Sequence, residues 1–182
     1  MGEIFPPEPV LPIIAVLAVS ERALLAAREA ACRIVGPIAL ESEIFPFEWT
    51  RYYEAEMGPR ILRRLIAARD LADPGLLVRW KIAAQAAERE IAASFAPPPA
   101  RPANLDPGYL APSKLVLAST KDFAHRIYLS DGIYAEITLR CVHGRFEPLP
   151  HTYPDWRSGR YDPFLREARL YFRERLRSQK RG

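Results

Sequence analysis

Residues Val10 to Val19, VLPIIAVLAV, run without a single charge, and that run limits what the chain can fold into. A bilayer span needs about 20 apolar residues. This run is shorter, contains Pro12 and follows Glu3 and Glu8 rather than lysines, so it reads as neither a membrane helix nor a signal peptide. Its β-branched content (Ile13, Ile14, Val16, Val19) instead predicts a central strand covered on both faces. Ser20 is a suitable helix N-cap and Glu21 suits a first turn. Leu24, Ala27, Ala31 and Ile34 then recur at helical spacing until Gly36 and Pro37 stop them. Ile38 to Trp49 reads as extended. Strand, helix, strand is the opening of a βαβ or split βαβ unit.

Further along, Ile61, Leu62, Leu65, Ile66 and Arg69 predict a helix that ends at Asp73 and Pro74. A clearer helix is predicted from Gly75 to Phe95, with Leu77, Trp80, Ala84, Ala87 and Ile91 on one stripe. Eighteen prolines against nine glycines imply that many turns are set by a rigid φ, and the proline-rich stretch Ala96 to Pro102 reads as a stiff connector. Asp106, Pro107 and Gly108 have the chemistry of a type II turn. His125–Leu129 and Ile133–Cys141 predict a hairpin around Ser130, Asp131 and Gly132. That register sets Ile127 opposite Ala135, Tyr128 opposite Tyr134 and Arg126 opposite Glu136, with Ile127, Leu129 and Ile137 on an apolar side. Arg145 to Leu149 is expected to return as a strand. Asp162 and Pro163 open a last amphipathic helix over 162–179, carrying Leu165, Ala168, Phe172 and Leu176. The expected architecture is one α+β domain over residues 1–182. It has an antiparallel or mixed sheet with two to four packed helices, in a ferredoxin-like variant of the split βαβ kind.

The formal net charge of +4 is uneven, because residues 157–182 carry nine basic and three acidic side chains and the remainder is slightly acidic. Such a segment suits RNA or an acidic partner, or is a solvated helix face. Cys32 and Cys141 are too few and too far apart for an oxidised scaffold and read as buried free thiols, which points to the cytoplasm. Cys141 and His143, with His125 and His151 elsewhere, lack the paired spacing of a zinc site, so no metal centre is expected. Aromatic residues crowd two loops: Phe45, Phe47, Trp49, Tyr52 and Tyr53, then Tyr153, Trp156 and Tyr161. Arg51, Arg157 and Arg160 are interleaved with them. Base stacking is one use of that pattern, but the alternation of Phe45, Phe47 and Trp49 favours a core face.

Several long strings carry a resemblance: ESEIFPFEWTRYYEAEMG (Glu41 to Gly58), NLDPGYL (Asn104 to Leu110), SKLVLASTKDFAHRIYL (Ser113 to Leu129), GIYAEITL (Gly132 to Leu139) and TYPDW (Thr152 to Trp156). Together they resemble a bacterial domain-of-unknown-function family of about this length, some of whose members are labelled GTP-binding protein. The resemblance covers nearly the whole chain and implies no particular activity or catalytic residue. The residues do not support a P-loop: no lysine follows a glycine, and in Ser119-Thr120-Lys121-Asp122 the aspartate directly follows the lysine, one position too early for a guanine-reading element. There is also no dinucleotide-binding glycine fingerprint.

A polar constellation remains. Lys114, Lys121 and Arg126 supply charge for a phosphate, Thr120 a hydroxyl, and Glu136 or Asp122 a carboxylate for general-base work or for Mg²⁺. Asn104 and Asp106, two apart, share a face if that segment is extended, and join the candidates. The expected function is binding, with turnover left open, of a small phosphate-bearing ligand such as a nucleotide. The alternative is an RNA-binding or assembly module acting through the Arg-rich helix. The competing structural reading is a solvated sheet face with one cross-strand ion pair, Arg126 to Glu136.

Overall fold

The uncharged run becomes strand β1 (Leu11–Ala18), in which every residue is buried. Its two faces meet different layers of the molecule. Ile14, Val16 and Ala18 pack under helices α1 (Glu21–Val35) and α3 (Leu77–Ser94), while Leu11, Ile13 and Ala15 pack against α5 (Asp162–Gln179). Ser20 caps α1 by accepting from the Ala23 amide at 3.2 Å, and Gly36, at φ 85°, ends it. These are results of the computed structural model, which describes residues 2–50, 52–95 and 100–180. Arg51 and the Ala96–Pro99 part of the connector lie outside the described residues.

The other strands are β2 (Ile38–Glu41), β3 (Phe45–Pro46), β4 (Leu62–Ala68), β5 (Ala103–Ala111), β6 (Lys114–Ser119), β7 (Ile127–Ser130), β8 (Ile133–Val142) and β9 (Arg145–Pro148). They form one antiparallel sheet in the order β2-β4-β1-β5-β6-β8-β7, with β3 also beside β4 and β9 beside β8. The segment β1-α1-β2-β4-α3-β5 is a complete split βαβ core with β1 and β4 at its centre. Strands β6 to β9 extend that sheet past β5. Single-turn helices α2 (Glu54–Met57) and α4 (Pro154–Arg157) sit in the long loops. The molecule is a single α+β domain.

Three expectations about secondary structure and register fail, for instructive reasons. The helix expected over 61–69 is strand β4, pairing from Ala18↔Leu62 to Ile13↔Ala67. A spacing of four is even, so Leu62 and Ile66 share a face in a strand as they do in a helix, and the free edge of β1 selects the strand. The expected turn at Asp106-Pro107-Gly108 is the interior of β5. The β1 ladder crosses Pro107, opposite Ile14, whereas the β6 ladder begins only at Gly108. Proline has no N–H to give to β6, so the two strands part there.

The third is the hairpin. Ile127↔Ala135 and Tyr128↔Tyr134 pair as expected, but Ser130 faces Ile133. The loop is Asp131-Gly132, both at positive φ, and an irregularity between Tyr128 and Ser130 restores the register. Its burial also departs from the expected division into an apolar and a polar side. Ile127, on the expected apolar side, is 69% exposed, whereas Glu136 on the polar side is 4% exposed. The N-terminal part of α3 covers Ile133 and Ala135 but ends short of β7, while two loops close over the opposite face. The last helix does dock, through Phe164, Leu165, Ala168 and Phe172. Both cysteines are free, but Cys32 is exposed on the outer side of α1 rather than buried, and Cys141 is half-buried.

Candidate cavity at the split between β5 and β6

Where β5 leaves β6 the sheet opens. A Cβ at Gly108 would run into the Val116 carbonyl oxygen and lie 2.6 Å from Leu117 Cδ2, so the strands touch there. From Pro107 back to Asn104, β5 has no β6 partner. Two charged side chains of α3 take that place. Glu88 Oε1 accepts from the Leu105 amide at 2.7 Å, and Lys81 Nζ donates to the Leu105 carbonyl at 3.0 Å. The amide and the carbonyl of Leu105 thereby both have partners, as a buried peptide unit requires.

From this floor a polar chain runs along β5. Lys81 Nζ also donates to Asp106 Oδ1 (2.9 Å), Asn104 Nδ2 donates to Asp106 Oδ2 (2.8 Å), and Asn104 Oδ1 accepts from Arg101. Arg101 in turn pairs with Glu88 at 3.0 Å and Glu56 at 3.3 Å. Burial alone would raise the Asp106 carboxyl, but the charge and hydrogen bond of Lys81, with Arg63 and Asn104 behind it, outweigh burial and hold it below its ordinary value.

Above the floor lies a cavity of about 510 Å³, a size typical of small-molecule sites. One wall is aromatic: Phe47, Trp49, Tyr52 and Tyr53 from the segment before α2, and Tyr153 and Trp156 around α4. The two aromatic loops seen in the sequence thus converge, with Phe47 and Trp156 buried and Trp49, Tyr52 and Tyr153 exposed. Behind them Arg63 of β4 is buried against Asp155 (Nη2 to Oδ2, 2.7 Å) and lies 5.0 Å from the Phe47 ring centre. Its Nε and Nη1 have no hydrogen-bond partner among the described residues. Tyr161 donates to Asp155 at 3.3 Å, and burial raises its phenol to about 12 despite the opposing pull of Arg63.

The opposite wall comes from the β6–β7 connection. Arg126 donates to Glu136 Oε2 (2.7 Å), to the Lys121 carbonyl (3.0 Å) and to the Tyr153 hydroxyl (3.2 Å). It is a clamp that ties β8, the 119–121 loop and the aromatic loop together. Lys121 is different. Its ammonium donates to the Tyr52 hydroxyl at 2.6 Å and lies 4.4 Å from that ring centre, and it pairs with no carboxylate among the described residues.

Six of the eight candidates from the sequence therefore line one cavity: Asn104, Asp106, Thr120, Lys121, Arg126 and Glu136. Lys114 does not. It stands at the far end of β6, opposite Ala111 and Arg140. Asp122 is exposed in the following loop, outside the lining. Arg63 and Lys81 were missed, although both leave a signal. Lys81 and Glu88 fall on the helical row Leu77, Lys81, Ala84, Glu88, a charged pair on an apolar stripe; Arg63 shares a face with Leu65 and Ala67 once β4 is read with period two. The cavity lining holds five cations, Arg63, Lys81, Arg101, Lys121 and Arg126, against Asp106, Glu136 and Asp155, an excess of two positive charges. Its three carboxylates each have a cationic nitrogen within 2.9 Å, a donor set that does not fit Mg²⁺, which takes free carboxylate oxygens. Among the described residues no helix is long and apolar enough to cross a membrane.

Comparison with known proteins finds no matching curated protein and no matching solved structure. One family model, described as a domain of unknown function (DUF4416), matches residues 8–172. That match takes in every strand, the floor of the cavity and both of its walls, and the chain belongs to the DUF4416 family.

Proposed function

We propose that this cavity binds a small ligand carrying a phosphate and a planar ring, with a nucleotide as the ligand class. The observation that carries the reading is a cation with spare donors and no carboxylate partner beside an aromatic wall. The Lys121 ammonium is exposed and, among the described residues, is paired only with Tyr52. A phosphate takes charge-assisted hydrogen bonds from such groups, and aromatic rings stack a base without regard to its identity. Because the other cations already face carboxylates, the charge left over suits one phosphate group rather than a chain of three. A guanine nucleotide, the ligand implied by the label on some resembling proteins, belongs to this class without any P-loop. Glu136 is held by Arg126, which supports a structural role for it and a binding protein in preference to a hydrolase. Two free thiols suit a reducing bacterial cytoplasm, where nucleotides are plentiful.

RNA binding through the Arg-rich helix has less support, since that helix is locked to the sheet and Arg175 and Lys180 face Asp70 and Glu8. The test is a thermal-shift screen of nucleoside mono-, di- and triphosphates, followed by calorimetry on the best. A ligand at a hundredfold excess over its Kd stabilises the fold by about 2.7 kcal/mol. Lys121→Ala is expected to abolish that shift while leaving the unliganded melt near wild type. A screen in which no phosphate compound moves the wild-type melt refutes the proposal.

A further inference from the structure

We infer that the ligand carries two neighbouring hydroxyls, as ribose does and deoxyribose does not, and that Asp106 is the residue that selects for them. This rests on the nucleotide reading above and deepens it. The three carboxylates of the cavity are not equivalent. Glu136 and Asp155 have side chains only 4% exposed, whereas the Asp106 side chain is 28% exposed and lines the cavity. Each Asp106 oxygen accepts one hydrogen bond from the protein, Oδ1 from Lys81 and Oδ2 from Asn104. An ionised carboxylate has about four acceptor positions. Two therefore remain, one on each oxygen, which matches a vicinal diol donating through both hydroxyls.

The surroundings narrow the choice of donor. Lys81, whose side chain is 6% exposed, and Arg101 stand beside Asp106, so a ligand ammonium would meet like charge there. A phosphate would meet the carboxylate itself and belongs at the Lys121 side. Neutral hydroxyls remain. A buried lysine–aspartate pair adds little to stability compared with apolar residues of the same volume. Here Lys81 closes the gap left by Pro107 and keeps Asp106 ionised, which fixes it as an acceptor. Asn104, oriented by Arg101, holds the second oxygen in place.

The experiment is isothermal calorimetry with the four ribonucleoside 5′-monophosphates and their 2′-deoxy counterparts on the wild-type protein, then on Asp106→Asn and Lys121→Ala. Loss of one hydroxyl is expected to weaken wild-type binding about tenfold or more, the effect of one good hydrogen bond to a charged acceptor. Asp106→Asn should bring the ribo and deoxy affinities together, and Lys121→Ala should weaken both alike. Ribo and deoxy forms that bind the wild type within about threefold of each other overturn the diol inference and leave the nucleotide reading standing. Binding by none of the eight overturns both. The wild-type comparison decides the matter even if Asp106→Asn fails to fold.

Discussion

Truncating Asp155 to alanine tests a deeply buried ion pair. Arg63 and Asp155 have side chains 6% and 4% exposed and meet at 2.7 Å. Removal of the carboxylate leaves the guanidinium with no acceptor among the described residues, because Nε and Nη1 already lack one. The group cannot escape by losing its proton, since an arginine stays charged in a protein. The rings of Phe47, Trp156 and Tyr161, 5.0 to 6.0 Å away, offset part of the loss. A desolvated cation–π contact contributes about 2 kcal/mol, less than the ~3–5 kcal/mol set by an orphaned buried charge. At ~2–4 °C per kcal/mol for a chain of this size, the Tm falls by about 6–20 °C. The double variant Arg63→Met with Asp155→Leu removes both charges and should return to within about 1 kcal/mol of wild type. Urea unfolding at neutral pH, with the m-value checked for constancy, measures both. An Asp155→Ala protein within about 1 kcal/mol of wild type, or a double variant as damaged as the single, would show that the pair is not desolvated as described.

Three further outcomes are expected. Gly108→Ala places a Cβ against the Val116 carbonyl, a backbone atom that cannot rotate away, and should destabilise by about 3 kcal/mol or more in the same urea assay; a wild-type midpoint would mean that β5 and β6 are further apart. Phe172→Ala should cost about 3–5 kcal/mol as a fully buried aromatic, against about 0.5 kcal/mol or less for exposed Arg177→Ala, and equal small effects would mean an undocked helix. The Asp106 carboxyl has a folded pKa below its ordinary 3.8, so its contribution is complete above that value and is lost as pH falls through the folded pKa. Urea midpoints taken from pH 6 to pH 3 should therefore drop more steeply below about pH 4 for wild type than for Asp106→Asn, and parallel curves would contradict the assigned pairing.

What could be read from the chain alone follows a physical division. β1, α1, α3 and α5 were legible because their signals are local: a run of β-branched residues, a serine cap three residues before the amide it serves, a repeat of three and four, a Pro at the first helical turn. The 127/135 and 128/134 pairs of the hairpin match the expected register although the loop has two residues rather than three, because the irregularity between Tyr128 and Ser130 offsets the shorter loop. The opening of a split βαβ unit was legible in β1, α1 and the extended segment after them, although β4 was expected as a helix and part of β5 as a turn. Of the candidate site, Asn104, Asp106, Thr120, Lys121, Arg126 and Glu136 were singled out for their phosphate-binding and carboxylate chemistry, and they do gather in one place.

Tertiary structure alone decided the rest. Even spacing in β4 fits two secondary structures, and only the unpaired edge of β1 chose between them, which put Arg63 inside. Pro107 looked like a turn because turn propensity is local, yet a strand tolerates proline on the side where no ladder is made, and there it opened the sheet. Which face of the hairpin is buried depended on where α3 ends and where two distant loops close, neither of which is written within the hairpin. Lys81 and Glu88 belong to a helix far from β5 in sequence, and their role exists only because the sheet parts beneath them. Backbone periods and caps are short-range and readable; the partner that satisfies a buried charge or an orphaned peptide group is set by contacts between remote segments, and those exist only once the chain has folded.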